Sequence, residues 1–416
     1  MAEYYIAPKT SFDATADAIR EKTGSQATIE WTQDGFADAI DAIPSGDTSI
    51  EPPEKAVNFI DYDGTRLYSY SAEEFLALTE LPPNPTHEGL TSQGWNWTLA
   101  DAKEQVEYCG YVDIGEMYIP SDGKTHIGII IPQARRQFIL RLGQTVANTV
   151  QVDWGDGTVE TISGTSVAEY SHTYASGGSY EIKIDAGNAV LVFNGNTSTN
   201  MFGSISSANG HAISGYVDYV YFGRGVESLH GWTLFAVTSV REVIVPNGAY
   251  APAGGNSIFE AASALKAVVL PKSFTQLPTQ TFKQNYSMRY VSIPKEVTSL
   301  GSTVFGQHYV WSHITLPKWI TSVGAQLYYR NQSLITATVP EGISSLGDSV
   351  WYQCYAIKEI HMKRTTPPSI SNSNAWTSIP SDLVIYVPYS EDHSVLDAYK
   401  NATNWSVQAS KMQEEP

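Results

Sequence analysis

The sequence predicts a multidomain, mainly β protein with a C-terminal β-solenoid. Ahead of the solenoid it predicts an N-terminal helical anchor, a small α+β domain and a small β-sandwich. Three observations carry this prediction. An apolar motif ending in proline recurs at near-constant spacing, at Pro246, Pro271, Pro294, Pro317 and Pro340, in the C-terminal half of the 416-residue chain. Five short strand-like segments joined by turn signals fill residues 132–193. The composition combines 42% apolar and 12% aromatic residues with 32 Gly, 21 Pro and only 16% charged residues. Few charges with many turn formers and aromatics suit short strands and tight turns, and the apolar share is enough to build packed cores.

Residues 1–50 read as two short helices. In Asp13–Arg20 the apolar positions Phe12, Ala16 and Ile19 share a face, and Gly24 stops the segment. Thr32 or Asp34 caps a second segment, Gly35–Ile43, which carries Phe36 and Ile40 and ends at Pro44-Ser45-Gly46. Helices this short are unstable alone in water, so Phe12, Ile19, Phe36 and Ile40 are expected to dock the chain on a partner. Pro52-Pro53 then marks a linker.

Residues 55–131 read as the α+β domain. Val57–Ile60 and Arg66–Tyr70 flank an Asp-Gly turn. Ser71 and Glu74 have the spacing of a capping box at the start of a helix over 71–78, and a further helix is expected over 100–108. Across 132–193, the segments 137–142, 150–154, 158–162, 168–174 and 180–184 are short strands at sandwich spacing.

Residues 194–416 hold the repeat. Val243-Ile-Val-Pro246, Val268-Val-Leu-Pro271, Val291-Ser-Ile-Pro294, Ile314-Thr-Leu-Pro317 and Ala337-Thr-Val-Pro340 share one motif, and their prolines step by 25, 23, 23 and 23. The register extends back to Gly223 and forward to Lys363 and Pro388 in steps of 23 or 25. Counted from the proline, large apolar side chains recur at +3, +6 and +17, as in Phe274, Leu277 and Met288. An aromatic stands at +11 (Phe282, Phe305, Tyr328, Trp351), and a small hydrogen-bonding side chain at +14 (Asn285, His308, Asn331, Cys354). One such unit cannot bury its apolar face alone, whereas stacked units share a continuous core behind a parallel β-face.

Three resemblances follow from these residues. Phe282-Lys-Gln-Asn285 to Val291-Ser-Ile-Pro294 resembles the repeat of BspA-like leucine-rich repeat proteins, and 385–405 looks like that family's helical cap. This implies surface recognition without catalysis. Val152-Asp-Trp-Gly-Asp-Gly-Thr158 with His172-Thr-Tyr174, Gly178 and Tyr180-Glu-Ile182 resembles a PKD-type immunoglobulin-like (Ig-like) domain, which implies a spacer or adhesive module. Residues 15–24, 59–65 and 89–97 resemble N-terminal parts of tail-associated and adhesin proteins from phages of Gram-positive gut bacteria.

The net charge of −18 repels phosphate backbones and anionic lipid, excluding a nucleic-acid binder. No apolar run approaches the roughly 20 residues that span a bilayer, so no membrane insertion is expected. Cys109 and Cys354, the only cysteines, make neither a disulfide framework nor a metal knuckle. Asp61-Tyr-Asp-Gly-Thr65 fits the motif of haloacid-dehalogenase phosphatases, with Asp61 as nucleophile and Asp63 as general acid. The roughly 70 residues before the sandwich are too few for such a domain, so an Asp-Gly hairpin is expected and no enzyme. No cofactor and no metal site are expected, because His308 and His313 fall on different faces of a solenoid.

Six tyrosines beside core positions, Tyr286, Tyr290, Tyr309, Tyr329, Tyr352 and Tyr355, are the candidate binding surface, where an aromatic serves packing or recognition alike. The expectation is a virion protein made in the host cytoplasm and carrying no signal peptide. Its N-terminus would bind other virion proteins, its middle domains would be spacers, and its solenoid would contact a host cell-surface glycan or protein. A homo-oligomer is expected, with a trimer favoured; a bacterial cell-surface adhesin is the alternative.

Overall fold

The computed structural model describes residues 56–145, 148–193, 199–204 and 216–416. Chain contacts divide the protein into Met1–Glu54 and Lys55–Pro416. The expected anchor residues Phe12, Ile19, Phe36 and Ile40 lie outside the described residues.

The first described domain is a four-stranded sheet with two helices. Its elements are β1 (Val57–Ile60), β2 (Arg66–Tyr70), α1 (Ala72–Leu76), β3 (Leu90–Trp95), α2 (Leu99–Cys109) and β4 (Val112–Pro120), with strand order β2-β1-β4-β3. The Asp-Gly turn closes β1 on β2: the backbone N–H of Thr65 donates to Asp63 Oδ1 at 2.8 Å, and Gly64 takes φ 87°. Ser71 and Glu74 form the reciprocal capping box on α1, which satisfies two otherwise orphaned N–H groups. Phe59, Phe75, Trp95, Trp97, Val106 and Ile114 make the core.

The second domain holds β5 (Thr125–Ile131), β6 (Gln137–Gln144), β7 (Val150–Asp153), β8 (Val159–Ile162), β9 (Ala168–Thr173), β10 (Gly178–Asp185) and β11 (Leu191–Val192). The sequence reading grouped 125–131 with the α+β unit, but β5 pairs along its whole length with β10. Its alternating buried residues Ile127, Ile129 and Ile131 belong to the same core as Trp154 and Tyr174. The strands form two sheets, β11-β6-β9 and β5-β10-β7-β8. Trp154 anchors the core, its carbonyl accepting a 2.9 Å hydrogen bond from the Tyr174 hydroxyl.

The larger sheet does not stop there. After the short hairpin β12 (Thr199–Asn200) and β13 (Gly203–Ser204), β14 (Val217–Tyr221) pairs antiparallel with β5 and parallel with β15 (Glu242–Ile244). The second domain therefore closes the N-terminal end of the solenoid by a shared sheet, and the open edge of the first rung is covered.

Each solenoid rung has three sides. The ladder side carries β16 (Ala267–Val269), and the second side carries the short β17 (Gln276–Leu277). Successive rungs repeat the pair as β18 (Tyr290–Ser292) and β19 (Ser299–Leu300), then β20 (His313–Thr315) and β21 (Ser322–Val323). They continue as β22 (Thr336–Val339) and β23 (Ser345–Leu346), then β24 (Glu359–Met362) and β25 (Ser369–Ile370). β26 (Val384–Val387) follows, then the cap helix α3 (Ser394–Asn401) and β27 (Met412–Glu414). The pairings between rungs are parallel, with partners one rung apart, as in Ala267 with Tyr290 and His313 with Thr336. The third side is a run of turns.

The +11 aromatics form a spine through the core. Phe259 stacks on Phe282 at 5.5 Å, Phe282 on Phe305 at 6.3 Å and Phe305 on Tyr328 at 6.3 Å, all within 16° of parallel. Trp351 continues the row onto Trp376, and Trp405 with Tyr399 of α3 seals the end. At the +14 position Asn285, His308, Asn331 and Cys354 are all buried beside this spine. Burial holds His308 neutral and pushes its pKa down to about 4, against partial compensation from the backbone of Phe282 and Asn285. The unfolded chain therefore takes up a proton that the fold refuses. Stability is expected to fall by up to about 3 kcal/mol as pH drops from 6.5 to 4. Denaturant titrations across that range should show this slope for the native protein and a flatter one for His308→Asn.

The middle domains are not free spacers. β4 of the first domain lies against the solenoid ladder at β15, β16 and β18. Asn96 donates to the carbonyls of Leu270 (2.9 Å) and Ser292 (3.2 Å), and Ser292 Oγ donates to Asp113 O (2.7 Å). Gln105 bridges the Leu316 carbonyl and the Lys318 N–H. Lys295 pairs with Asp101 at 2.7 Å and Lys318 with Glu104, while Trp97 packs on Trp319. Gly115 is a point of very close backbone approach, since a Cβ there would meet Val269 Cγ1 at 2.5 Å and Ser292 Cβ at 3.0 Å.

Candidate functional site

The first domain covers the ladder along β15 to β20, which leaves the ladder from β22 onward, the second side and the turn side open; of these, the turn side carries the stacked tyrosine pairs. Its backbone is unusual. At +9 and +13 of each rung the chain takes left-handed φ values near 60°, at Gln280 and Gln284, Thr303 and Gln307, Gln326 and Arg330, and Ser349 and Gln353. None is glycine, and each such residue costs roughly 1–2 kcal/mol in isolation. Hydrogen bonding between rungs holds them there. Gln280, Phe282 and Gln284 donate their N–H groups to the carbonyls of Ser302, Val304 and Gly306 at 2.8–3.1 Å. Thr303, Phe305 and Gln307 repeat the pattern onto Ala325, Leu327 and Tyr329, as do Gln326, Tyr328 and Arg330 onto Asp348, Val350 and Tyr352. All of these bonds run the same way along the solenoid. The turn side is thus a third ladder, rigid enough to present side chains at a fixed rung spacing of roughly 4.8 Å.

Side chains on this ladder form rows. The +12 row reads Lys283, Gly306, Tyr329, Tyr352, and the missing side chain at Gly306 leaves a notch. Around it lies a groove of about 340 Å³ lined by Gln280, Lys283, Gln284, Thr303, Gln307, Gln326, Tyr329 and Arg330. Glu260 neutralises Lys283 at 2.8 Å from the previous rung. Arg330 Nε donates to Gln353 Oε1 at 2.7 Å, with its guanidinium 5.1 Å from the Tyr329 ring centre. Gln307 Oε1 is buried and has no partner.

The structure sorts the six candidate tyrosines. Tyr286 and Tyr309 occupy the +15 row and stack at 5.0 Å and 12°, still 38% and 43% exposed respectively. Tyr329 and Tyr352 stack at 5.2 Å and 15° in the +12 row. Tyr355 stands at 51% exposure. Each paired ring is stacked yet at least partly exposed, so packing and presentation coexist. Tyr290 is different: it lies on β18 of the ladder, beside Tyr111 of the docked first domain. Sequence reasoning missed the glutamines at +9 and +13. Their only signal was recurrence, because polar residues outside the core rows look like ordinary solvated surface.

The other candidates sit in structural contacts. Asp61 is buried and pairs with His87 at 2.7 Å, while Asp63 serves the hairpin turn. Both cysteines are free, and burial raises their thiols to about 11 for Cys109 and about 12 for Cys354, which makes them poor nucleophiles. Among the described residues no cluster of three or more His, Cys, Asp or Glu could hold a metal ion, and no helix is long and apolar enough to cross a membrane.

Residues 224–374 match the BspA type leucine-rich repeat region in six copies. No curated protein matches the chain. Among solved structures, the T. pallidum leucine-rich repeat protein is 16% identical, covering 46% of this chain and 79% of its own, with a TM-score of 0.32. A leucine-rich repeat protein from Bacteroides ovatus is 13% identical over 58% and 78% of the two chains, with a TM-score of 0.30. A leucine-rich cell surface protein from Faecalibacterium prausnitzii is 14% identical over 49% and 72%, with a TM-score of 0.29. The match lies within the solenoid, whose residues 224–374 are similar to BspA-type leucine-rich repeats.

Proposed function

We propose that the protein is a non-enzymatic adhesion protein that recognises a cell-surface receptor, glycan or protein, through the turn side of its solenoid. One observation carries this reading: the turn side is open, rigid and furnished with a groove and paired tyrosines, whereas the first domain covers the ladder along β15 to β20. Rigid aromatic and amide side chains bind at low entropic cost because little freedom is lost on contact.

In this reading the chain is a virion component. Residues 1–50 attach to other virion proteins through Phe12, Ile19, Phe36 and Ile40, residues 132–193 are the PKD-type Ig-like module, and the assembly is a homotrimer. The support is the likeness of the segments 15–24, 59–65 and 89–97 to phage tail-associated proteins. A bacterial cell-surface adhesin would use the same solenoid in the same way. Labelled full-length protein applied to a panel of Gram-positive gut bacteria tests recognition, and binding to none of them counts against it. Antibody detection in purified virions against detection in cell envelopes decides between the two carriers.

A further inference from the structure

Resting on the reading of the turn side as the recognition surface, we propose that the groove between Lys283 and Tyr329 binds a neutral oligosaccharide laid along the solenoid axis. The site is built by a single departure from the repeat. Lys283, Tyr329 and Tyr352 fill the +12 position on neighbouring rungs, and glycine leaves it empty on one. The Thr303 methyl takes part of that space, since its Cγ2 lies 2.5 Å from where a Cβ at Gly306 would stand. The resulting volume of about 340 Å³ falls in the ~300–1,000 Å³ range of small-molecule sites.

The lining selects the ligand class. Four glutamines, Gln280, Gln284, Gln307 and Gln326, surround the notch, and each amide offers both a donor and an acceptor. Gln280 and Gln326 use their carbonyls to accept from Ser257 and Thr303 on adjacent rungs, which leaves their NH₂ groups for a ligand. The buried carbonyl of Gln307 lacks any donor, and an unpaired buried acceptor costs roughly 1–3 kcal/mol until a ligand supplies one. Sugar hydroxyls, each donor and acceptor at once, meet both needs. Tyr329 lines the groove, stacked on Tyr352 and with the Arg330 guanidinium 5.1 Å from its ring centre. That arrangement suits the apolar face of a pyranose ring.

Other classes fit less well. The lining contains no aliphatic side chain to seat a peptide's apolar residues. An acidic polymer would meet one unmatched cation, Arg330, because Lys283 is already paired with Glu260, and would approach a chain of net charge −18.

The test uses the full-length protein on an array of immobilised neutral oligosaccharides of glucose, galactose, mannose and N-acetylhexosamines, with sialylated and uronic-acid oligosaccharides alongside. The wild type is expected to bind members of the neutral set, and Gln284→Met with Gln307→Met to weaken that binding by about tenfold or more. Methionine keeps the length of glutamine without its hydrogen bonds, and thermal unfolding confirms that the variant folds. Tyr329→Ala should lose binding to a similar extent. Binding to no neutral oligosaccharide, binding confined to the acidic set, or unchanged binding by the methionine variant would overturn the proposal. If the methionine variant still binds whole cells as the wild type does, the groove assignment fails while recognition by the turn side stands.

Discussion

Phe305→Ala is expected to destabilise the solenoid by about 3–5 kcal/mol. The ring is fully buried, sits between Phe282 and Tyr328 in the aromatic spine, and meets the edge of Trp311 at 5.4 Å. Truncation removes those contacts and leaves a cavity that the flanking rungs cannot close, because their backbones are pinned by ladders on three sides. Solenoid stability is a sum of rung and nearest-neighbour terms, so the damage should be local in origin and spread outward. Denaturant unfolding gives the magnitude. Hydrogen exchange should show the loss of protection centred on 282–334, and a change below about 1 kcal/mol would contradict a spine that carries the fold.

Gly115→Val is expected to cost about 3 kcal/mol or more and to detach the first domain from the ladder. The added side chain would collide with Val269 and Ser292. Val269 is β-branched and stiff, and Ser292 is already committed to Asn96 and Asp113. Displacing β4 also breaks the hydrogen bonds that Asn96 donates across the contact to Leu270 and Ser292. Hydrogen exchange should rise in β4 and on β16 and β18 while the distal rungs 336–387 keep their protection. Unchanged exchange at β4 would mean that the contact is looser than the distances indicate.

The core of the solenoid was legible because its signal is periodic. Proline spacing set the register, and the side chains named at +11, +14 and +17, from Phe282 to Cys354, are all buried. The Asp-Gly hairpin and the capping box on α1 were legible because their chemistry is local. The docking of the first domain was not. Asn96, Gln105 and Gly115 meet partners on the solenoid, Leu270, Leu316 and Val269, that lie far along the chain, and nothing in their neighbours distinguishes them from surface. The turn ladder was hidden for another reason. Left-handed backbone is normally announced by Gly or Asn, and here Gln, Thr, Ser and Arg adopt it under the constraint of bonds between rungs. The groove followed suit: it depends on an absent side chain at Gly306, and a lone glycine in a repeat reads first as a turn. Among the tyrosines, the sequence could separate core from non-core rows but not the ladder side, where Tyr290 lies, from the turn side.

The most direct test compares three full-length proteins for binding to the same Gram-positive gut bacterial cells: the wild type, Tyr309→Ala with Tyr329→Ala, and Gly115→Val. Recognition by the turn side predicts that the double tyrosine variant loses about tenfold or more in affinity, while Gly115→Val, with its ladder uncovered, binds as the wild type does. Binding that survives in the tyrosine variant and changes in Gly115→Val would place the recognition surface on the ladder and contradict the account.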